Sequence, residues 1–145
     1  MASVKNCNLP DELYYNVENN VWCRPEADGT VTVGMTAYAA ALAGDIVAFT
    51  PKKAGKTVEQ NKSVATVESA KWVGPVKSPV TGEVVATNEA VAGKPNTVNG
   101  DPYGNGWLVR MKPANWAGES GALVTGGGVV AAFEAKMTAD GFAGC

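Results

Sequence analysis

The sequence predicts a mainly β fold. Seventeen glycines and eight prolines in 145 residues are typical of a chain with many turns and argue against a helix bundle. The length is that of one ordinary domain, and 46% hydrophobic residues are enough to build a core. The chain also repeats itself, because residues 44–56 align without gaps onto residues 82–94 with six identities. We therefore expect a single domain over residues 1–145.

The elements before the repeat follow from local patterns. Residues 9–15, LPDELYY, are compatible with a strand or a short helical turn. The turn cluster PEADG at 25–29 separates Val-Trp-Cys at 21–23 from the β-branched alternation TVTVGM, which predicts a β hairpin. TAYAAALAG follows and predicts a helix over about 36–43, with Thr36 as its cap and Gly44 as its end.

Each copy of the repeat predicts the same β unit. A glycine opens a strand, a loop follows, and an AGK turn leads to a further strand, SVATVE in the first copy and GWLVRM in the second. Two such units joined by a hairpin predict a small sandwich or barrel-like sheet with approximate two-fold symmetry.

The C-terminal region predicts one more helix, over about 129–139. Val129, Val130, Phe133 and Met137 have the spacing of one helical face, and Gly141 is placed to end the helix. We expect this helix to pack on the sheet of its own domain.

Composition excludes several classes of function. Twelve basic and fourteen acidic residues give a net charge of −2, which offers no broad attraction to nucleic acid or anionic lipid. The chain has no histidine, and its three cysteines lack CxxC spacing, which disfavours metal clusters and imidazole-based catalysis. The N-terminus lacks a signal-peptide core, and the apolar stretch GALVTGGGVVAAF is too short to span a bilayer. We expect a cytoplasmic protein that does not contact membranes.

Lys71 lies in the joint between the two copies of the repeat. The joint is expected to be a hairpin, which presents a side chain on a rigid base. Ser69 and Ala70 are small and leave room around the lysine. Glu68 is either a solvated charge at the end of a strand or a mark for a modifying enzyme. Trp72 either packs against an attached group or a partner, or covers the edge of the sheet.

Four separated motifs carry a family resemblance. DGTVTVGMTAYAAALAGDIV, VESAK, SPVTGEVVATNEAV and VNGDPYGNGWLVRMKP resemble, in order, the lipoyl-carrier H protein of the glycine cleavage system over a core of about residues 21–116. The resemblance implies the lipoyl hammerhead fold, with lipoate in amide linkage on Lys71. A group carrier needs no catalytic residues of its own, since the cofactor supplies the chemistry and partner enzymes act on it. The resemblance therefore implies a carrier protein and no enzyme.

The cargo has two interpretations. NNVWC stands where the glycine-cleavage family usually has HEW, AKWVGP beside the lysine is unusual, and cysteines lie near both ends, at Cys7 and Cys145. These features resemble lipoate-binding proteins of sulfur-oxidising prokaryotes, which implies sulfur or electron carriage to a heterodisulfide-reductase-like complex, and this is the leading hypothesis. The alternative is aminomethyl carriage as in glycine cleavage. Either implies a dihydrolipoamide dehydrogenase and a lipoate-attaching enzyme as partners.

Three further hypotheses rank lower. An unmodified β scaffold predicts no added mass on Lys71. Biotin is disfavoured because Ala70 and Trp72, rather than methionines, flank the lysine. A free-standing enzyme is least favoured, since no acid/base pair or activated nucleophile has a recognisable spacing.

The cysteines are assigned by position. Cys7 and Cys145 lie near the chain ends and are either free thiols on mobile tails or residues that accept and relay sulfur. Cys23, in a strand beside Trp22, is expected to be a small buried hydrophobic residue.

Overall fold

The computed structural model describes residues 2–145. Eleven strands and five helices are defined within that range, together with two short 3-10 turns, Ser120–Ala122 and Gly126–Gly128. The strands are β1 (Ala2–Val4), β2 (Cys7–Leu9), β3 (Tyr14–Asn16), β4 (Val21–Pro25), β5 (Val31–Met35), β6 (Ile46–Pro51), β7 (Thr57–Val58), β8 (Ser63–Ser69), β9 (Val73–Lys77), β10 (Gly82–Thr87) and β11 (Val109–Pro113). The helices are α1 (Ala37–Ala43), α2 (Glu89–Gly93), α3 (Thr97–Gly100), α4 (Trp116–Glu119) and α5 (Val129–Ala139).

Two antiparallel sheets enclose the main core. The larger has the strand order β3-β4-β5-β11-β10-β7, and the smaller has the order β6-β8-β9. Inward-facing side chains of both sheets form one hydrophobic cluster, which is rich in valine. β-Branched residues suit this position because they pack well on a pleated surface. The predicted mainly β architecture with short helices is confirmed.

The internal repeat is visible in the sheet registers. The pairing of β6 with β8 shifts between Ile46 and Ala48, and the pairing of β10 with β11 shifts between Val84 and Ala86. These positions are equivalent at the repeat offset, so both copies carry an irregularity at the same point. A bulge of this kind bends its strand and is a built-in feature of a sheet.

The second copy differs from the first after its strand. The predicted AGK turn of that copy is wrong, because residues 89–93 form α2. Asn88 caps this helix by accepting a hydrogen bond from the N–H of Ala90, and Val91 is fully buried. In the first copy, the residue equivalent to Val91 is Lys53. Lys53 is charged and exposed, so the first copy has no apolar side chain to bury at this position.

Helix α1 has the predicted caps. The Thr36 hydroxyl accepts from the N–H of Ala39 at 3.0 Å, and the N–H of Gly44 donates to Ala40 O at 3.0 Å. Gly44 has φ of +77°, a conformation that glycine adopts without strain. Tyr38 is buried on one side of the helix and contacts the C-terminal region.

Helix α5 spans the predicted residues, and its buried face is narrower than predicted. Val129, Phe133 and Met137 are fully buried in a second hydrophobic cluster. Val130 is 40% exposed, so its assignment to that face is wrong. It follows Val129 directly and is therefore turned about 100° away around the helix axis. The helix packs against the N-terminal strand β1, and the ring of Phe133 packs on the ring of Tyr15 in β3.

The two ends of the chain are joined. Cys7 and Cys145 form a disulfide with a Cα–Cα distance of 5.0 Å, so the expectation of free thiols on mobile tails is wrong. The β1–β2 hairpin turns at Lys5 and Asn6, which both have positive φ as a two-residue hairpin loop requires. The N–H of Cys145 donates to Lys5 O at 2.9 Å, which lays the last residues along that hairpin.

Gly34 is required by the packing of Trp22, and its substitution tests the core that supports α1. A Cβ atom on Gly34 would lie 2.6 Å from the indole ring of Trp22, which is fully buried. The indole N–H donates to Met35 O at 3.0 Å, so the ring cannot move freely. We expect Gly34→Ala to lower the free energy of unfolding by about 3 kcal/mol in urea titrations. Gly121→Ala, where nothing lies within 4 Å, is the control and should change it by less than about 0.5 kcal/mol.

Candidate functional site

Lys71 lies at the tip of the β8–β9 hairpin. The strands pair in register up to Glu68 opposite Val73, and the N–H of Ser69 donates to Trp72 O at 2.7 Å. Ala70 and Lys71 are therefore the two loop residues of a tight turn. The Ser69 hydroxyl also accepts from the N–H of Lys71 at 3.4 Å. The predicted hairpin joint is confirmed, and both loop residues are exposed.

The lysine side chain lies across the end of α1. A Cβ atom on Gly44 would be 3.4 Å from Lys71 Cε and 3.9 Å from Nζ. Within residues 2–145 the one ion pair closer than 4.0 Å joins Arg24 and Glu26, so no carboxylate neutralises the Lys71 ammonium. An exposed, unpaired amine is accessible to an enzyme that modifies it.

An apolar groove runs along one side of α1, beside the hairpin. Its volume is about 210 Å³. Its lining is mostly hydrophobic and includes Val21, Met35, Ala39, Leu42 and Trp72, and the polar residues in the lining are Glu18, Asn19 and Asn20. We call this the apolar groove. It could shelter a hydrocarbon chain that begins at the hairpin tip.

A second groove runs along the other side of α1. It is lined by residues of the N-terminal hairpin, α1, the segment 99–103 and the C-terminus, among them Asn8, Ala41, Gly44, Tyr103 and Cys145. We call this the polar groove. Its lining contains Gly44 toward the Lys71 side of α1, whereas Cys145 Sγ lies 3.9 Å from Ala37 O at the beginning of the helix.

Tyr103 and Tyr38 hold α1 in place between the two grooves. The Tyr103 hydroxyl donates to Asn8 O and accepts from the N–H of Ala37 at 2.9 Å. The Tyr38 hydroxyl donates to the Asp140 carboxylate. Burial, and for Tyr38 also the Asp140 carboxylate, raises the pKa of both tyrosines to about 12, so both stay protonated as donors near neutral pH.

The other site and cysteine residues considered in the sequence are Trp72, Glu68 and Cys23, and they differ in burial. Trp72 is 40% exposed, lies with its ring over Gly74 on the edge strand β9, and also lines the apolar groove. Glu68 is exposed on β8, two residues before the loop. Cys23 is buried as predicted, and burial raises the pKa of its thiol to about 12.

The site fits a long acyl group attached through an amide to Lys71. The amine is exposed, the loop neighbour Ala70 is small, and the apolar groove begins beside it. A dithiolane and its alkyl chain are mainly apolar and match that lining. Among residues 2–145, no group of three or more His, Cys, Asp or Glu side chains is arranged to hold a metal ion.

A β sandwich with a lysine at the tip of a tight hairpin is typical of a carrier domain that presents an attached group. The family model that matches this chain is that of the glycine cleavage H-protein, over residues 13–136. The chain belongs to the glycine cleavage H-protein family. Proteins of this family carry lipoate covalently on a lysine.

Individual relatives agree with this assignment. The chain is 57% identical over 119 residues to glycine cleavage system H protein 5 of Aquifex aeolicus, covering 79% of this chain and 80% of that protein. It is 47% identical over 132 residues to a probable glycine cleavage system H protein 2 of Sulfurisphaera tokodaii, covering 90% and 88%. The crystal structure of a glycine cleavage system H protein from Mycobacterium marinum superposes with a TM-score of 0.74 at 30% identity, covering 92% and 99%.

None of the helices in the described range 2–145 has both the length and the apolar character needed to cross a bilayer.

Proposed function

We propose that this protein is a lipoyl carrier in which lipoate is attached in amide linkage to Lys71. The observation that carries the proposal is the position of Lys71, alone with Ala70 in a two-residue loop with its ammonium free of any carboxylate within 4.0 Å in the described range. The family membership supports the same chemistry. The attached dithiolane would supply the redox and group-transfer chemistry when it is bound.

The residues of the chain hold and present the arm. The β8–β9 pairing and the Ser69–Trp72 hydrogen bond keep the loop rigid, so the flexible part of the arm begins at the lysine side chain. Trp72 and the other walls of the apolar groove offer a dry surface on which the arm rests between partners. Tethering of this kind raises the local concentration of the reactive group at each docked enzyme.

The proposed cargo is the aminomethyl group of glycine cleavage. The relatives described above are named as glycine cleavage system H proteins, which favours this alternative over the leading hypothesis from the sequence. The sulfur-carrying hypothesis still has one observation in its favour, a cystine next to a groove that reaches the lysine. It is therefore kept as the second candidate, with the heterodisulfide-reductase-like complex as its partner.

The proposed partners handle lipoyl groups. They are a lipoate-attaching enzyme, which would recognise the hairpin with Glu68 near its target, a dihydrolipoamide dehydrogenase and a glycine decarboxylase. Each of them needs access to the hairpin tip, which is open to solvent at Ala70, Lys71 and Trp72. We propose a cytoplasmic location, where such enzymes share their soluble substrates.

Two measurements on the natively produced protein test these proposals. Peptide mass spectrometry should find a lipoyl group on the Lys71 peptide, and a bare lysine at full occupancy would contradict the carrier function. The lipoylated protein is then offered separately to a glycine decarboxylase and to a sulfur-oxidising heterodisulfide-reductase-like complex. We expect aminomethyl transfer with the first enzyme, whereas turnover only with the second would assign the protein to sulfur oxidation.

A further inference from the structure

The Cys7–Cys145 disulfide joins one buried cysteine and one exposed cysteine. Cys7 begins strand β2 of the N-terminal hairpin and is fully buried, whereas Cys145 is exposed and lines the polar groove. A nucleophile that enters the groove therefore meets Cys145 first. Disulfides in reducing compartments are rare, and those that occur are usually transient, catalytic or redox-sensing. An accessible cystine in a protein proposed to be cytoplasmic thus calls for a function beyond holding the chain ends together.

The polar groove connects this cystine to the hairpin lysine. Gly44 lines the groove at the end of α1, where a Cβ atom on it would lie 3.4 Å from Lys71 Cε, and Cys145 lies at the beginning of the same helix. α1 has seven residues, so the two points are about 10 Å apart along its axis. From Lys71 Cε, which lies beside Gly44, a lipoylated lysine has about eight more bonds to its first sulfur, which gives an extended reach of roughly 10 Å. Extended along α1, the arm therefore brings its first sulfur to the beginning of the helix, where Cys145 lies.

We propose that the Cys7–Cys145 disulfide is a redox site that accepts an electron pair from the reduced arm on Lys71 of the same molecule. The inference rests on the proposed lipoylation of Lys71. It gives the protein an internal electron acceptor and couples the redox state of the arm to the attachment of the C-terminal residues. The polar groove is then the path for exchange, while the apolar groove is the resting place.

The exchange balances without another oxidant. A thiolate of the arm attacks Cys145 Sγ, the bond between Cys145 and Cys7 breaks, and Cys7 Sγ leaves with the electron pair and takes a proton. The second thiol of the arm loses its proton and attacks the arm sulfur that is bound to Cys145. The ring of the arm closes, Cys145 leaves and is protonated, and two electrons and two protons have moved from the arm to the cystine.

The experiment reads cysteine thiols directly. Full-length protein, lipoylated on Lys71 by a ligase and checked by mass, is reduced anaerobically with NADH and a catalytic amount of a lipoyl-reducing flavoenzyme. Samples are quenched in acid, alkylated and digested. We expect alkylated Cys7 and Cys145 peptides in more than half of the lipoylated molecules and in fewer than one tenth of Lys71→Arg molecules. Alkylation of the arm alone, or equal cysteine labelling in Lys71→Arg, would overturn the proposal.

Two further readouts separate an internal reaction from collisions between molecules. The rate of cysteine labelling should be unchanged over a tenfold dilution of the carrier, and a rate that falls in proportion to its concentration would overturn the internal path. Ala41→Trp fills the polar groove and should slow labelling at least tenfold. Val85→Trp puts the same side chain on a strand outside both grooves and should change the rate less than twofold. Equal rates in the two variants would contradict the assigned path.

The failure of this inference is distinct from failure of the proposed function. The Lys71 peptide of the natively produced protein reports whether lipoate is attached in the cell. The cysteine peptides of the ligase-treated protein report whether the cystine accepts electrons. A lipoylated Lys71 with an unreactive cystine would leave the carrier function standing and reject only the redox site.

Discussion

Lys71→Arg should abolish lipoylation and reduce carrier activity to below about one hundredth of the wild-type rate. Arginine keeps the positive charge and most of the length of the side chain, but its guanidinium stays protonated and does not form the amide that lysine forms. The loop places no other amine at the hairpin tip, because its other residue is Ala70. The measurement is ligase-dependent incorporation of lipoate, followed by transfer assays with the partner enzymes.

A matched control variant, Lys77→Arg, tests whether lipoylation depends on the position of Lys71 and not merely on the loss of one lysine. Lys77 is exposed at the far end of β9, and Lys77→Arg should retain full lipoylation and transfer. Both substitutions are at exposed positions and should change the free energy of unfolding by less than about 0.5 kcal/mol. Wild-type transfer by Lys71→Arg would mean that another residue carries the group, and the hairpin lysine would then be an ordinary surface charge.

The parts of the fold that were predicted from sequence depend on local patterns. The β4–β5 hairpin follows from a turn cluster between β-branched runs, and α1 follows from a threonine cap, alanines and a terminal glycine. Both occur as predicted because neighbouring residues decide them. The hairpin that carries Lys71 was predicted from the repeat, which fixes a joint between two similar units.

The features that could not be predicted from sequence depend on residues that are far apart in the chain. The sequence gives no sign that Cys7 and Cys145 pair, because 138 residues separate them and an odd number of cysteines leaves several pairings open. The apolar groove brings residue 18 to residue 72 through sheet packing that no local pattern encodes. The exposure of Val130 could have been foreseen only from the width of the surface that α5 covers.

Helix α1 also shows that a local sequence pattern does not predict which surfaces a segment will line. α1 reads as a plain alanine-rich segment, but its two sides line grooves of different character, with Leu42 in the apolar groove and Ala41 in the polar groove. Small side chains on both sides keep the grooves open. The functional consequence appears only when the hairpin tip and the C-terminus are placed at opposite ends of the helix.

Opening the Cys7–Cys145 disulfide should lower the free energy of unfolding by about 5 kcal/mol. The bond closes a loop with a sequence separation of 138, and restricting so long a loop in the unfolded chain accounts for a stabilisation of about that size. For a chain of this length, such a change corresponds to a fall in Tm of at least about 10 °C. The measurement is thermal unfolding of the wild type with the bond closed and of Cys145→Ser.

The Cys145→Ser variant is suitable because its new hydroxyl lies at an exposed position, whereas a serine at residue 7 would bury one. The wild type should fall to the Tm of the variant when a reductant opens the bond, and the variant itself should not respond to reductant. Thiol labelling confirms the redox state in each sample. The loss of stability should be greatest around the second hydrophobic cluster and the chain ends. There Phe142 packs on Tyr38, and the N–H of Cys145 donates a hydrogen bond to Lys5 O. An unchanged Tm in fully reduced wild type would show that these contacts hold the chain ends without the covalent bond.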